Sequence, residues 1–256
     1  MSRTAVVTGA TSGIGAAFAR RLSADGYDLT IVARDAERLA ATAADLPGSA
    51  TPLVADLSTD EGCATVEKVL AGPVDVLVNN AGMTLGRSFL KSSVDDEARL
   101  LRLNVHSVMR LTHAVLPGMK EREHGAVINV SSVAGFGAAM PGSTYSASKA
   151  WVTNFSDAIG QLMRPFNVRV MALCPGYTRT EFHDRAGIDM SKTPGWMWLR
   201  ADDVVAAALR DLARGKLVSV PDWKYKATVF GMRHAPRGLV GRVSRDTRGR
   251  IGRSEA

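Results

Sequence analysis

The stretch Thr8-Gly9-Ala10-Thr11-Ser12-Gly13-Ile14-Gly15 narrows most sharply what this chain can fold into. It follows residues 4–8, a β-branched and apolar run that suits a buried strand. It leads into residues 16–24, which read as a helix ending near Gly26. Strand, glycine-rich turn and helix together are the context in which a dinucleotide binds. Glycines let the backbone approach a pyrophosphate, and the helix N-terminus offers free N–H groups and a partial positive charge. The spacing is T-G-x-x-x-G-x-G rather than G-x-G-x-x-G. A purely structural turn with three glycines is the competing explanation, and the flanking strand and helix favour the cofactor.

Further strand-like runs follow at 28–33, 51–55, 74–78, 126–130, 168–173 and 216–220, with helices expected at 36–45, 59–71, 94–119, 143–165 and 201–214. Seven strands with helices between most of them predict an α/β fold: one doubly wound parallel sheet of the Rossmann type, with helices on both faces. In such sheets ligands bind outside the carboxyl ends of the strands. The conspicuous polar residues fall at those ends. Arg34 closes the second strand, 19 residues after Gly15. An acid there would hold the ribose of NAD, whereas an Arg accommodates the 2′-phosphate of NADP. Asp35 next to it is equally placed to cap the following helix. Asp56 closes the third strand, placed to accept from an adenine amino group or to cap the next helix. Asn79, Asn80, Ala81 and Gly82 close the fourth, where amides can tie strands together and Gly82 leaves room for a cofactor. Asn104 is a polar amide within the apolar 94–119 helix, which is expected to end at Pro117-Gly118.

Tyr145 and Lys149 stand four residues apart, so on a helix they share one face. A phenol with a pKa of about 10 is a poor acid–base group at neutral pH, and a nearby cation is expected to lower it. Ser132 ends the fifth strand, and Gly135, Gly137, Pro141 and Gly142 predict a flexible loop that lets its hydroxyl reach the phenol.

In this order the motifs resemble the short-chain dehydrogenase/reductase family: Thr8-Gly9-x-x-x-Gly13-x-Gly15, Asn79-Asn80-Ala81-Gly82, Asn104, Ser132, Tyr145-x-x-x-Lys149 and Pro175-Gly176-x-x-x-Thr180. The resemblance covers about residues 4–220. It implies that Tyr145 is the general acid/base, that Lys149 lowers its pKa and binds the nicotinamide ribose, that Ser132 polarises the substrate oxygen, and that Asn104 anchors a water leading from Lys149. It further implies a cofactor site formed by Gly9, Thr11, Ser12, Gly13, Ile14, Gly15, Arg34, Asp56, Leu57, Asn80, Ala81, Gly82, Tyr145, Lys149, Pro175, Gly176 and Thr180. Arg34 favours NADP(H) over NAD(H). The reaction would move a hydride between that cofactor and a carbonyl or secondary alcohol. The long helices of this family often form dimer or tetramer interfaces, so a homodimer or homotetramer is expected.

Composition adds limits. No run approaches the roughly 18 apolar residues that a membrane span needs, and the N-terminus lacks a signal-peptide pattern, so a cytoplasmic protein is expected. Cys63, Cys174 and five scattered histidines give no metal-ligand or disulfide pattern, and no metal is expected. The net charge is +7, but nine Lys and Arg against three acids lie from Asp222 onward. The rest is near neutral, which argues against a nucleic-acid partner.

Residues 1–220 therefore read as the catalytic domain and 221–256 as a basic, partly disordered extension. Its aromatic and basic residues suit contact with an anionic membrane surface, or packing over the cleft or a subunit neighbour. Residues 179–200, with Trp196, Met197, Trp198 and Leu199, read as a substrate lid or as a packed helix pair. With Met83, Met140 and Phe182 they predict an apolar pocket for a ketone, steroid, fatty-acyl or terpenoid substrate. A non-catalytic NADP-sensing module is the alternative, although a sensor has no need of the Ser132, Tyr145 and Lys149 set.

Overall fold

A computed structural model describes residues 3–137 and 144–234. Seven strands form one wholly parallel sheet in the order β3-β2-β1-β4-β5-β6-β7. They are β1 (Arg3–Thr8), β2 (Tyr27–Ala33), β3 (Ala50–Val54), β4 (Val76–Asn79), β5 (Gly125–Val130), β6 (Val168–Leu173) and β7 (Val218–Ser219). The strand order reverses between β1 and β4, and there the glycine turn and Asn80 meet.

The inner strands β1, β4, β5 and β6 are buried on both faces because helices cover both, whereas the edge strand β3 is largely exposed. Along β1, Ala5 and Val7 enter one core and Val6 the other. The first core is closed by α1 (Gly13–Ala24), by Leu39 of α2 (Ala36–Ala44) and by α8 (Ala201–Ala213). The second is closed by α3 (Asp60–Leu70), by α5 (Ser107–Glu121) and by Met163 at the end of α6 (Thr144–Met163). Across that second face Arg110 of α5 forks onto Glu67 (2.6 and 2.8 Å) and reaches Asp60 (2.8 Å), locking α5 to α3.

Three helix expectations need correction. The expected single helix 94–119 is α4 (Val94–Leu101), one π-helical turn (Arg102–His106) and α5. In the π turn the Ser107 N–H reaches back five residues to the Arg102 carbonyl. Nor do Pro117-Gly118 end the helix, which runs on to Glu121. A mid-helix proline costs about 3 kcal/mol. Leu111, Val115 and Met119, all buried on the same helix, offset this with about 1.5–3 kcal/mol each. Helix α1 also starts three residues earlier than expected, so Gly13 and Gly15 lie within its first turn.

Beyond β6 the chain forms the one-turn helix α7 (Phe182–Arg185) and a 3-10 turn (Gly195–Met197). The last described element, α9 (Trp223–His234), turns Tyr225 and Val229 inward, and Tyr225 joins the first core. Its buried residues thus pack on the body of the domain, while Trp223 and Phe230 stay exposed. No described helix is long and apolar enough to cross a membrane. Met140, Pro141, Gly142 and the segment 235–256 lie outside the described residues.

Candidate active site

At the glycine turn, recognition is built from backbone. Gly9 and Gly13 adopt φ of +64° and +55°, the left-handed region that glycine enters without strain. A side chain at Gly15 would collide with the Gly9 carbonyl and the Asn80 amide, and one at Gly13 would strike Thr180. Asn80 holds this closeness by donating to the carbonyls of Thr8 (2.9 Å) and Gly9 (3.1 Å), while the Thr8 hydroxyl accepts from the backbone N–H of Asn80 and Ala81. Ser12 caps α1 without a side-chain hydrogen bond, and no acid stands in the first turn. The open N–H groups and the helix dipole there fit a pyrophosphate. Ile14 packs on the first core. Leu57 buries its side chain in the second, so its backbone is the part that can face a ligand.

Asp56 at the end of β3 is more heavily engaged than the sequence suggests. Its carboxylate accepts from the Ser58 N–H (2.9 Å) and hydroxyl (2.7 Å), with Arg34 at 3.9 Å and Arg99 at 3.6 Å. Burial alone would raise its pKa, but the Ser58 hydrogen bonds and the two arginines hold it below the ordinary carboxylate value. The Arg34 guanidinium remains largely exposed beside the turn. Arg38, one helical turn on, grips Glu181 with one nitrogen 3.0 Å from each carboxylate oxygen. Asp35 caps α2 by accepting from the Arg38 N–H.

Ser132, Tyr145 and Lys149 gather at the end of β5. Ser132 begins a 3-10 turn (Val133–Phe136), accepts from the Ala134 N–H, and its hydroxyl lies close enough to the Tyr145 phenol to influence its ionisation. Gly135 does not serve as a flexible link. It lies against the α6 backbone at Lys149 and Ala150 so closely that no β-carbon fits, and this contact holds the turn that carries Ser132 against α6. Lys149 is buried, donates to the Val130 carbonyl (2.8 Å) and lies 5.7 Å from the centre of the Tyr145 ring.

The expected lowering of the tyrosine pKa is reversed. Burial pushes Tyr145 up to about 12, with the nearby Ser132 hydroxyl pulling the other way. Burial likewise pushes Lys149 down to about 8. Desolvation penalises both charged forms, and the ammonium is directed at a carbonyl rather than at the phenol oxygen. Asn104, wholly buried in the π turn, pairs with both backbone groups of Met83 (2.9 and 2.8 Å) and donates to Ser148 (3.1 Å). It thereby fixes the loop after Gly82, whose Cα faces both Asn104 and the Lys149 ammonium.

The segment after β6, residues 177–199, lies along these groups. Thr180 lies on Gly13, the Ala186 carbonyl on Gly86, and the Phe182 ring 5.7 Å from that of Tyr145. Pro175 and Gly176 lead out of β6 at its foot. Trp198 packs edge-on against His183 and near Tyr177. Two residues expected in the pocket are elsewhere: Trp196 is 64% exposed, and Leu199 belongs to the first core. A cavity of about 650 Å³ beside the lid is lined by Arg179, His183, Asp189 and Trp198, but by none of Ser132, Tyr145 and Lys149. The sequence did not point to Arg38, Arg99 or Glu181, and it marked Tyr225 only as one of the aromatic residues of the C-terminal extension. Of the first three, only Arg38 left a signal, lying on the helix one turn after Arg34.

A family model described as short chain dehydrogenase matches residues 3–190. An acetoacetyl-CoA reductase of Shinella zoogloeoides is 37% identical over 193 residues, covering 71% of this chain and 76% of the relative. A serine 3-dehydrogenase of Rhizobium radiobacter is 39% identical over 189 residues, covering 71% and 74%. Among solved structures, a short-chain dehydrogenase from Sphingobium yanoikuyae in complex with NADPH superposes with a TM-score of 0.83 at 36% identity, covering 93% of this chain and 95% of the other. A bulky-bulky ketone specific alcohol dehydrogenase from Comamonas testosteroni gives 0.77 at 27% identity, covering 99% and 96%.

Proposed function

This chain belongs to the short-chain dehydrogenase family of NAD(P)-dependent oxidoreductases, and from that premise we propose that it reduces an apolar ketone at the expense of NADPH, with Tyr145 as the proton donor. The observation that carries the proposal is the gathering of Ser132 and Tyr145 around a buried Lys149, which donates to the Val130 carbonyl at the end of β5 and faces Gly82.

When bound, the reduced nicotinamide supplies the hydride to the carbonyl carbon. The chain's own groups do the rest. Ser132 donates to the carbonyl oxygen and orients it. Tyr145 gives its phenolic proton to that oxygen as negative charge develops there. Burial, which raises the pKa of the phenol, keeps it protonated at neutral pH and ready to donate. Lys149, at about 8, lies close enough to neutrality to hold or release a proton beneath the phenol. The lid residues Phe182 and Thr180 close over these groups and exclude water.

NADPH as the preferred cofactor is supported by the exposed Arg34 guanidinium at the end of β2, with no carboxylate at position 33. The apolar substrate class is supported by Phe182 against Tyr145 and by relatives whose names specify acetoacetyl-CoA and bulky ketones. A homo-oligomer is supported by exposed Leu101 and Met109 on the α4–α5 unit and Leu162 on α6.

The test is cofactor oxidation with acetoacetyl thioesters and bulky aryl ketones. Wild type is expected to turn over with NADPH in preference to NADH, and Tyr145→Phe to lose about 10²–10⁴-fold in kcat. Near-wild-type turnover by Tyr145→Phe would remove the proton-donor assignment.

A further inference from the structure

The lid leaves the sheet after Gly176 and returns at Leu199. Its two ends lie side by side in a narrow neck. The Leu199 N–H donates to the Tyr177 carbonyl (2.8 Å), the Arg179 N–H donates to the Leu199 carbonyl (3.0 Å), and Thr178 and Leu199 form a parallel bridge. Helix α9 closes this neck from outside. The Tyr225 hydroxyl accepts from the Tyr177 N–H (3.0 Å) on the outgoing side and donates to the Met197 carbonyl (2.7 Å) on the returning side. Its ring lies against Gly176 with no space for a β-carbon between them. Beside it the Lys224 ammonium donates to the Trp196 carbonyl (2.9 Å).

The same helix touches the turn that carries Ser132. Arg233 stacks over the Phe136 ring at 4.7 Å, and Met232 lies beside Gly137. At its other end the lid meets the reacting groups, through Phe182 on Tyr145 and Thr180 on Gly13. One buried hydroxyl, 48 residues away in sequence from the lid's first residue, thus ties the two ends of a segment whose middle covers the site.

We propose that Tyr225 is a positioning residue of this enzyme: its hydroxyl fixes the neck of the lid and so sets where Phe182 and Thr180 stand over Tyr145 and the glycine turn. The proposal rests on the reading of Tyr145 as the reacting residue. It goes beyond the family match, which ends at residue 190, whereas α9 begins at Trp223. The hydroxyl, rather than the ring, carries the effect. With Phe at 225 the ring still fills its place in the core beside Gly176, but the Tyr177 N–H and the Met197 carbonyl lose their shared partner.

The experiment compares full-length wild type with Tyr225→Phe in two ways. By hydrogen exchange, amides in 178–196 are expected to exchange about tenfold faster in the variant, with sheet amides unchanged. By steady-state kinetics with NADPH and a ketone, KM is expected to rise about fivefold to tenfold with kcat within about twofold, because lid closure acts on substrate capture. Unchanged lid exchange, or exchange that rises equally in lid and sheet, overturns the proposal. So does a fall in kcat without a change in KM, which marks a merely structural tyrosine. The exchange measurement needs no turnover, so it decides the clamp separately from the assignment of Tyr145.

Discussion

Glycines serve opposite ends in the two halves of the cleft. At the cofactor side, Gly9, Gly13 and Gly15 are glycine because another atom occupies the place of a β-carbon: the Asn80 amide, the Thr180 methyl, the Gly9 carbonyl. In the lid, Gly195 has nothing within 4 Å of that place, and Gly187, equally open, is kept glycine only by its own φ of +64°. The first half is held by parallel strands and by Asn80 bridging two of their ends. The second is a segment of about twenty residues held at its neck. Recognition by backbone at close quarters demands fixed glycines at fixed spacing. Recognition by side chains on a loop demands only that the loop be positioned, and the lid is positioned from α9, far off in sequence.

The sharpest way to break this contrast is a matched pair of substitutions. Gly15→Ala is expected to weaken NADPH binding more than about 100-fold, since the added methyl forces the turn open against Asn80. Gly195→Ala is expected to leave it within about twofold. Titration calorimetry on both variants checks this, and equal effects would erase the distinction.

A smaller effect tests how dry the tight half is. Lys149 has a folded pKa of about 8 against an ordinary 10.5. The unfolded chain therefore binds the proton more strongly between those values. The buried ammonium costs stability below pH 8, and the cost is relieved as pH rises from 8 to 10.5. Lys149→Met should therefore gain on wild type by up to the order of 3 kcal/mol at pH 7 and lose that advantage by pH 10. Chemical denaturation of both proteins at the two pH values reads the difference. A gap independent of pH would mean that the lysine is solvated.

Smallest is the effect of Arg34→Ala. Its guanidinium is exposed and already near Asp56, so its loss should lower the preference for NADPH over NADH only about tenfold. The ratio of kcat/KM for the two cofactors measures it, and an unchanged ratio would move the phosphate contact to Arg38 or Arg99.

The same contrast explains what could be read from the sequence. The seven strands and the residues at their ends were legible because strand runs are apolar and β-branched, and because Thr8, Asn80, Ser132 and Tyr145 belong to fixed local motifs. The direction of the Tyr145 pKa was not legible, since proximity to a lysine says nothing about how much water each group has lost. The tight packing of Gly135 on α6 looked like flexibility because a glycine forced by contact and one left by freedom are the same letter. Trp196 was expected inside the pocket, yet it lies outward under Lys224. The clamp of Tyr177 and Met197 by Tyr225 has no local signature.

The π turn at Arg102–His106 sets the phase of everything after it. One residue of a helix corresponds to about 100° of rotation. Because this turn takes up an additional residue, α4 can address α6 while α5 addresses α3. Deleting one position there would not merely shorten a bend. It would wind α5 round its own axis, swing Arg110 away from Glu67 and Asp60, and turn Leu111 and Val115 off the sheet, so that the apparently surplus residue acts as the key that clocks half of one helical layer.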